Sequence, residues 1–267
     1  MRVLCADLGN SRTHLAVFPP GRAVARIPAR CDAAVYASVA PSREAAFERE
    51  IRRRGLRPIK LGRDLPIPAR VRSGRAWKPG ADRLCNALAA HARVRGSCVV
   101  VDLGTAVTVE AVSRDGELIG GLIAPGLGTM AAALMERTEL IALGETATRG
   151  RLDVAGSRAR SCRLHAPASL QGGRDQGVRH LLPRIDDGAI GRTTRENVQA
   201  GLWFSIRGMV DAARRWAGRG APLVGTGGDA PRFARWFDLV DPLLTLRGVF
   251  LSFALHLVKR GPEIRLR

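Results

Sequence analysis

Three aspartates and the glycines beside them carry the chemistry this chain is equipped for. Asp102 closes the apolar run Val99-Val100-Val101 and opens Asp102-Leu103-Gly104-Thr105-Ala106, after which apolar residues alternate as a second strand. Gly104 lets the backbone come close to a ligand. The Thr105 hydroxyl and neighbouring N–H groups can donate to phosphate oxygens, and Asp102 can hold a cation. The pattern occurs twice. Val3-Leu4-Cys5-Ala6-Asp7-Leu8-Gly9-Asn10-Ser11-Arg12-Thr13-His14 sets Asp7 against Asp102, Gly9 against Gly104 and Asn10 against Thr105. Continued without a gap, the same register sets Thr13 against Thr108, Ala16 against Ala111, Val17 against Val112 and Gly21 against Gly116. The chain therefore reads as two copies of one strand, loop, strand, turn, strand unit. The third aspartate, Asp82, stands beside Arg83 on the first turn of a helix, where by position alone it serves the helix dipole far more often than catalysis.

The elements that must position these residues follow from periodicity and punctuation. Met1 to about Ile27 reads as the first hairpin unit, turning at Pro19-Pro20-Gly21, and Ala33–Val39 as a further strand. A helix is predicted from Pro41 to Gly55, a short strand over Pro58–Leu61, and loop from Gly62 to Pro79. From Ala81 to about Val94, Leu84, Ala87, Leu88 and His91 fall at helical spacing. Gly120 to Gly128 reads as a tight turn before a helix from about Thr129 to Arg137. The polar, weakly periodic stretch from Gly144 to about Arg179 reads as an insertion or a mobile loop. A long helix is predicted from Thr194, placed to cap it, to Trp216. Leu223–Thr226 is a strand entering the Gly227-Gly228 turn, and a last helix spans Leu246–Val258.

Composition bounds the answer. With 267 residues and 46% apolar content, the chain can bury two modest cores. No apolar run approaches the roughly 18 residues of a membrane span, and the N-terminus enters a strand at once, so a cytoplasmic protein is expected. Cys5, Cys31, Cys85, Cys98 and Cys162 are odd in number and scattered, as reduced core residues are. The net charge of +19 is almost all arginine and is spread along the chain. It reads as a basic surface that attracts anionic substrates such as nucleotides, since no nucleic-acid-binding motif accompanies it.

Taken in order, Asp7-Leu8-Gly9-Asn10-Ser11, Gly80-Ala81-Asp82-Arg83, Asp102-Leu103-Gly104-Thr105-Ala106, Gly120 to Gly126, Thr194 seven residues before Gly201, and Thr226-Gly227-Gly228 are similar to the motifs of the type III pantothenate kinases. These kinases are members of the acetate and sugar kinase, Hsp70 and actin superfamily. The resemblance implies an α/β fold of two ribonuclease-H-like domains, here 1–96 and 97–267, with ATP in the cleft between them. It also implies a homodimer and transfer of the ATP γ-phosphoryl group to the primary hydroxyl of pantothenate, while composition leaves no membrane or nucleic-acid partner expected. Asp7, Leu8, Gly9, Asn10, Ser11, Arg12, Thr13 and His14 would form the first phosphate loop, with Thr105, Gly227 and Gly228 also on ATP. Asp82 would accept the proton. Gly80, Ala81, Asp82, Arg83 and Thr194 would line the pantothenate site, and Asp102 would hold potassium or ammonium beside the magnesium of ATP. One substitution stands out: the tyrosine common seven residues before Gly-Ala-Asp-Arg is Ser73 here, with Trp77 near enough to supply an aromatic surface. A non-catalytic accessory homologue, or a kinase for another small hydroxylated acceptor, are the competing readings.

Overall fold

The computed structural model describes residues 1–72, 77–138, 190–218 and 220–260. Ser73 and the stretch read as an insertion near 144–179 lie outside them, as does Cys162. The elements in order are β1 (Val3–Leu8), β2 (Thr13–Phe18), β3 (Arg22–Ala23), β4 (Ala33–Ser38), α1 (Pro41–Arg53), β5 (Pro58–Lys60) and β6 (Arg70–Val71). Then come α2 (Ala81–Val94), β7 (Cys98–Leu103), β8 (Ala106–Val112), β9 (Glu117–Pro125), α3 (Leu127–Arg137) and α4 (Thr194–Ala217). The series ends with β10 (Leu223–Thr226), a 3-10 helix (Ala230–Trp236), β11 (Leu239–Val240) and α5 (Leu244–Arg260).

Two compact units divide the chain: Met1–Ala124 with Val210–Arg267, and Pro125–Met209. The first holds two sheets. One runs β3-β2-β1-β4-β5, with β1 antiparallel to β2 and parallel to β4. The other runs β11-β10-β7-β8-β9-β6, with β7 antiparallel to β8 and parallel to β10. Set β7, β8, β9, β10 and β11 in place of β1 to β5 and the first order becomes that of the second sheet, which adds only β6 at its β9 edge, as expected of two ribonuclease-H-like units. The duplication seen in the sequence is a duplication of topology.

Its register needs one gap. Leu8 pairs with Thr13 but Leu103 pairs with Val107, so the first loop is one residue longer than the second. The counterpart of Thr108 is therefore His14, not Thr13, and Ala16 corresponds to Glu110, not Ala111. A one-residue slip in a strand exchanges its two faces. The ungapped alignment thus hides the fact that Glu110 points where its counterpart is a core alanine. Both turns restore the count with a left-handed glycine, Gly21 at φ 90° and Gly116 at φ 77°.

Alternation builds the layers. In β1, Leu4, Ala6 and Leu8 face α1 with Phe47 and Ile51, while Val3 and Cys5 join Cys85 of α2 and Leu246, Val249 and Phe253 of α5. In β7, Cys98 and Val100 pack with Ala87, Ala89 and Ala90 of α2. Helix α2 is therefore shared by both sheets, and its burial extends well beyond the stripe that periodicity suggested: Leu84 and Leu88 are only partly buried, whereas Arg83 and Asn86 are buried. Small side chains permit this. At Gly248 of α5 an added Cβ would overlap the Cys85 carbonyl, so the two helices meet backbone to backbone. Elsewhere, Gly120 and Gly121 lie within β9 instead of a turn, and β6 interrupts the predicted loop. Extended backbone suits Gly121 because β8 comes so close that a Cβ there would collide with the Val109 carbonyl. Cys5, Cys31, Cys85 and Cys98 are free thiols.

The second unit holds α3 and the first part of α4. Glu196 N–H donates to the Thr193 hydroxyl (3.2 Å) and Thr193 N–H to the Glu196 carboxylate (3.2 Å), a reciprocal cap one residue before the threonine that spacing had nominated.

Candidate active site

Two strands and one helix bring the three aspartates together. Asp7 continues the face of Val3 and Cys5, and Asp102 continues that of Cys98 and Val100, so each strand ends by aiming a carboxylate towards α2. Asp82 is the second residue of that helix. Its Oδ1 accepts from the Arg83 backbone N–H at 2.8 Å, one of the first-turn donors with no partner inside a helix. Gly80 precedes it for a steric reason: a Cβ there would stand 2.5 Å from Asp82 Oδ1.

The electrostatics show the three as one cluster. Burial, then the charges of Asp82 and Asp102, push Asp7 up to about 7. Asp102 is pushed up to about 6 by burial and then by Asp82, although a hydrogen bond from Asn86 offsets part of this. Asp82 is raised by burial against the restraining effect of Arg83. Carboxylates so placed repel one another and are receptive to cations and to a hydroxyl proton. All the donors are hard oxygens, which suits magnesium or potassium. Among the described residues no group of three or more His, Cys, Asp or Glu side chains is gathered tightly enough to hold a metal ion.

The loops meet as well. Thr105 Oγ1 donates to Ser11 Oγ at 2.7 Å, closing the two duplicated turns on each other. The first is drawn tight by Gly9 N–H to Arg12 O at 2.9 Å and held by Arg43, whose guanidinium donates to the Asn10 and Ser11 carbonyls at 3.1 and 3.0 Å. Gly227, at φ 88°, lies so close to Asp102 Oδ1 that a Cβ would overlap it, and Gly228 beside it faces open space. Thr13 opens β2 and His14 stands opposite Asp7. Leu8 is wholly buried in the α1 layer, so the loop uses it as an anchor. Thr194 is exposed at the first position of α4, in the second unit. Tyr36 faces away, donating to Glu48 at 2.5 Å.

Periodicity did not single out Asn86 or Glu110. Asn86 is four residues after Asp82, donates to Asp102 Oδ2 at 3.0 Å and accepts from the Thr245 hydroxyl of α5 at 2.8 Å. Its spacing from Asp82 on one helical face was the available signal. Glu110 receives Arg83 Nε at 2.8 Å, and burial pushes its carboxyl up to about 8 although Thr108 and Arg83 oppose the shift. A charge inside the apolar run of β8 was its signal. Arg83 and Trp77 stack at 5.6 Å and, with Ile119–Ile123, line a cleft of about 350 Å³.

The raised carboxyls set a pH dependence of stability. Asp7, Asp102 and Glu110 have folded values above their unfolded ones, so their contribution is complete below the ordinary carboxylate range and is lost as pH rises through about 6 to 8. His14, lowered by burial and then by Arg12, acts in the opposite sense below its ordinary value. With Asp82 also raised, four carboxyls outweigh one imidazole. The thermal midpoint of nucleotide- and cation-free protein is expected to fall by several degrees between about pH 5.5 and 8.5. Differential scanning fluorimetry checks this, and a flat or rising midpoint contradicts the cluster.

Residues 21–162 match the type III pantothenate kinase family. The type III pantothenate kinase of Dehalococcoides mccartyi (strain CBDB1) is 31% identical over 208 residues, 75% of this chain and 65% of the relative. The chain thus spans just under two thirds of that relative's length. Type III pantothenate kinase 1 of Symbiobacterium thermophilum is 32% identical over 244 residues, 86% of this chain and 77% of the relative. Among solved structures, a Baf family transcriptional activator from Campylobacter jejuni shares the fold with a TM-score of 0.56 at 17% identity, covering 95% of this chain and 98% of that one. Among the described residues no helix is long and apolar enough to cross a membrane.

Proposed function

The chain belongs to the type III pantothenate kinases, and from that premise we propose that it transfers the γ-phosphoryl group of ATP to the primary hydroxyl of pantothenate, the first step of coenzyme A synthesis. The observation that carries this reading is the convergence of Asp82 with Asp7 and Asp102 at the mouths of two duplicated loops. In this reading the loops Asp7–His14 and Asp102–Ala106 clamp the phosphates, Thr105 and Ser11 bridging them, and the Gly227-Gly228 turn leaves room for the adenosine. The acceptor lies along Gly80–Arg83 and the Trp77 cleft, where Arg83 holds its anionic group and Trp77 supplies the apolar wall.

Phosphoryl transfer asks the protein chiefly for alignment and charge compensation. The acceptor oxygen forms a bond to the γ-phosphorus, the bond from that phosphorus to the β,γ-bridging oxygen breaks, ADP departs, and the hydroxyl proton passes to the Asp82 carboxylate. Arg83 N–H keeps that carboxylate turned to receive it. Magnesium and a monovalent cation, when bound, neutralise the phosphate charge. Asp102 is the residue suited to hold the monovalent ion, with Asn86 fixing its other oxygen. The halves 1–96 and 97–267 act as the two jaws, and the working form is a cytoplasmic homodimer.

Purified protein given ATP, magnesium, potassium and pantothenate is expected to release ADP in proportion to phosphopantothenate formed, and more slowly with sodium replacing potassium. No turnover with pantothenate overturns the assignment. An ADP-release screen of other hydroxylated acceptors then distinguishes a kinase of different specificity, and DNA retention at physiological salt without turnover an accessory protein.

A further inference from the structure

Glu110 is a carboxyl group with no exposed surface at all, flanked on its strand by Val109 and Ala111. Such a group is costly to bury and remains only where it holds something. Its Oε1 receives Arg83 Nε at 2.8 Å, while Arg83 Nη2 donates to the Val109 carbonyl at 3.2 Å, so one strand grips two edges of the guanidinium. Trp77 covers a face of it at 5.6 Å. Gly121 completes the fit from β9, since a Cβ there would stand 2.6 Å from Nη2. Arg83 is buried, at 6% exposure, and lines the cleft with Trp77 and Ile119–Ile123.

We propose that Glu110 is a positioning residue for acceptor binding: it fixes the Arg83 fork, through Nε, in the one orientation that presents the remaining Nη1 group to an anionic acceptor in the Trp77 cleft. A lysine in place of Arg83 would lack the fork to be held, and a neutral apolar residue in place of Glu110 would leave the guanidinium free to turn. Because Arg83 adjoins Asp82, the same clamp also sets how far the acceptor hydroxyl stands from the base. The inference rests on the cleft being the acceptor site, as proposed above.

Steady-state kinetics with ATP and pantothenate separate the two ideas. Wild-type turnover of pantothenate tests the functional reading, and its absence refutes that reading alone. Given turnover, Glu110→Met is expected to raise KM for pantothenate about tenfold or more, the effect of losing one charge-assisted hydrogen bond, with KM for ATP unchanged. Glu110→Gln, whose amide oxygen still accepts from Nε, is expected to recover most of that loss. Equal damage to both KM values, or a Glu110→Gln variant no better than Glu110→Met, overturns the positioning role. If Glu110→Met does not fold, Glu110→Asp, one methylene shorter, carries the same test, and an unchanged KM for pantothenate overturns the role.

Discussion

Asp82→Asn is expected to leave a folded, ATP-binding protein whose kcat is about a thousandfold lower, within the range a positioned general base contributes. The substitution is nearly isosteric, and the asparagine oxygen can still accept from the Arg83 backbone N–H that Asp82 engages at 2.8 Å. What disappears is the capacity to take a proton. Removing one charge from the cluster also relieves Asp7 and Asp102, both of which are raised in part by Asp82. The variant should therefore melt no lower than the parent near neutral pH. ADP release under saturating substrates, together with a melting curve, makes the test: retention of a tenth or more of parental kcat removes Asp82 from the role of base.

The second large effect lies far from the phosphates in sequence. Gly248→Ala is expected to destabilise the protein by about 2 kcal/mol and lower its thermal midpoint by roughly 5 °C. Two terms compete. Alanine inside a helix is favoured over glycine by up to about 1 kcal/mol. Against this, the new methyl group would overlap the Cys85 backbone carbonyl, and backbone in a shared helix cannot swing aside as a side-chain tip can. Overpacking of well-filled interiors costs about 1–3 kcal/mol, and a collision with backbone belongs at the upper end. The collision wins. Because the displaced helix carries Asp82, kcat should fall as well. Chemical denaturation and steady-state assays read the two outcomes, and a midpoint at or above that of the parent would show that α5 and α2 are not in backbone contact.

The parts of the site legible in the sequence are those where local chemistry and local structure coincide. Apolar runs ending in Asp-x-Gly declare both a strand and the loop it serves, whereas Asp82 at a helix start was singled out only through the family resemblance. Asn86 and Glu110 were hidden because their significance is tertiary. Each is a polar residue in an apolar setting, and only the partners, Asp102 and Thr245 for one and Arg83 for the other, distinguish a buried anchor from an exposed side chain. The repeat was correct in kind, but a one-residue difference in loop length, invisible to an ungapped comparison, reassigned every side chain of β8 relative to β2. Gly120 and Gly121 misled for a related reason: glycine marks close backbone approach within a strand as well as a turn, and the neighbour that demands it, Val109, belongs to a different element.

Thr245 and Asn86 are hydrogen-bonded across 159 residues of chain, and α5 supplies Leu246, Val249 and Phe253 to the core under β1 and β4. The first sheet can pair its strands early, and α2 supplies Cys85 to the same face, yet that face is not fully covered until α5 arrives. Such a long loop closure is slow. A nascent chain halted before residue 244 would thus expose hydrophobic surface beside β1, with Asp7 at its edge, and would be a client for chaperones or proteases. In this architecture the aspartate-bearing loops are translated early, but the helix that backs them is among the last elements to be made.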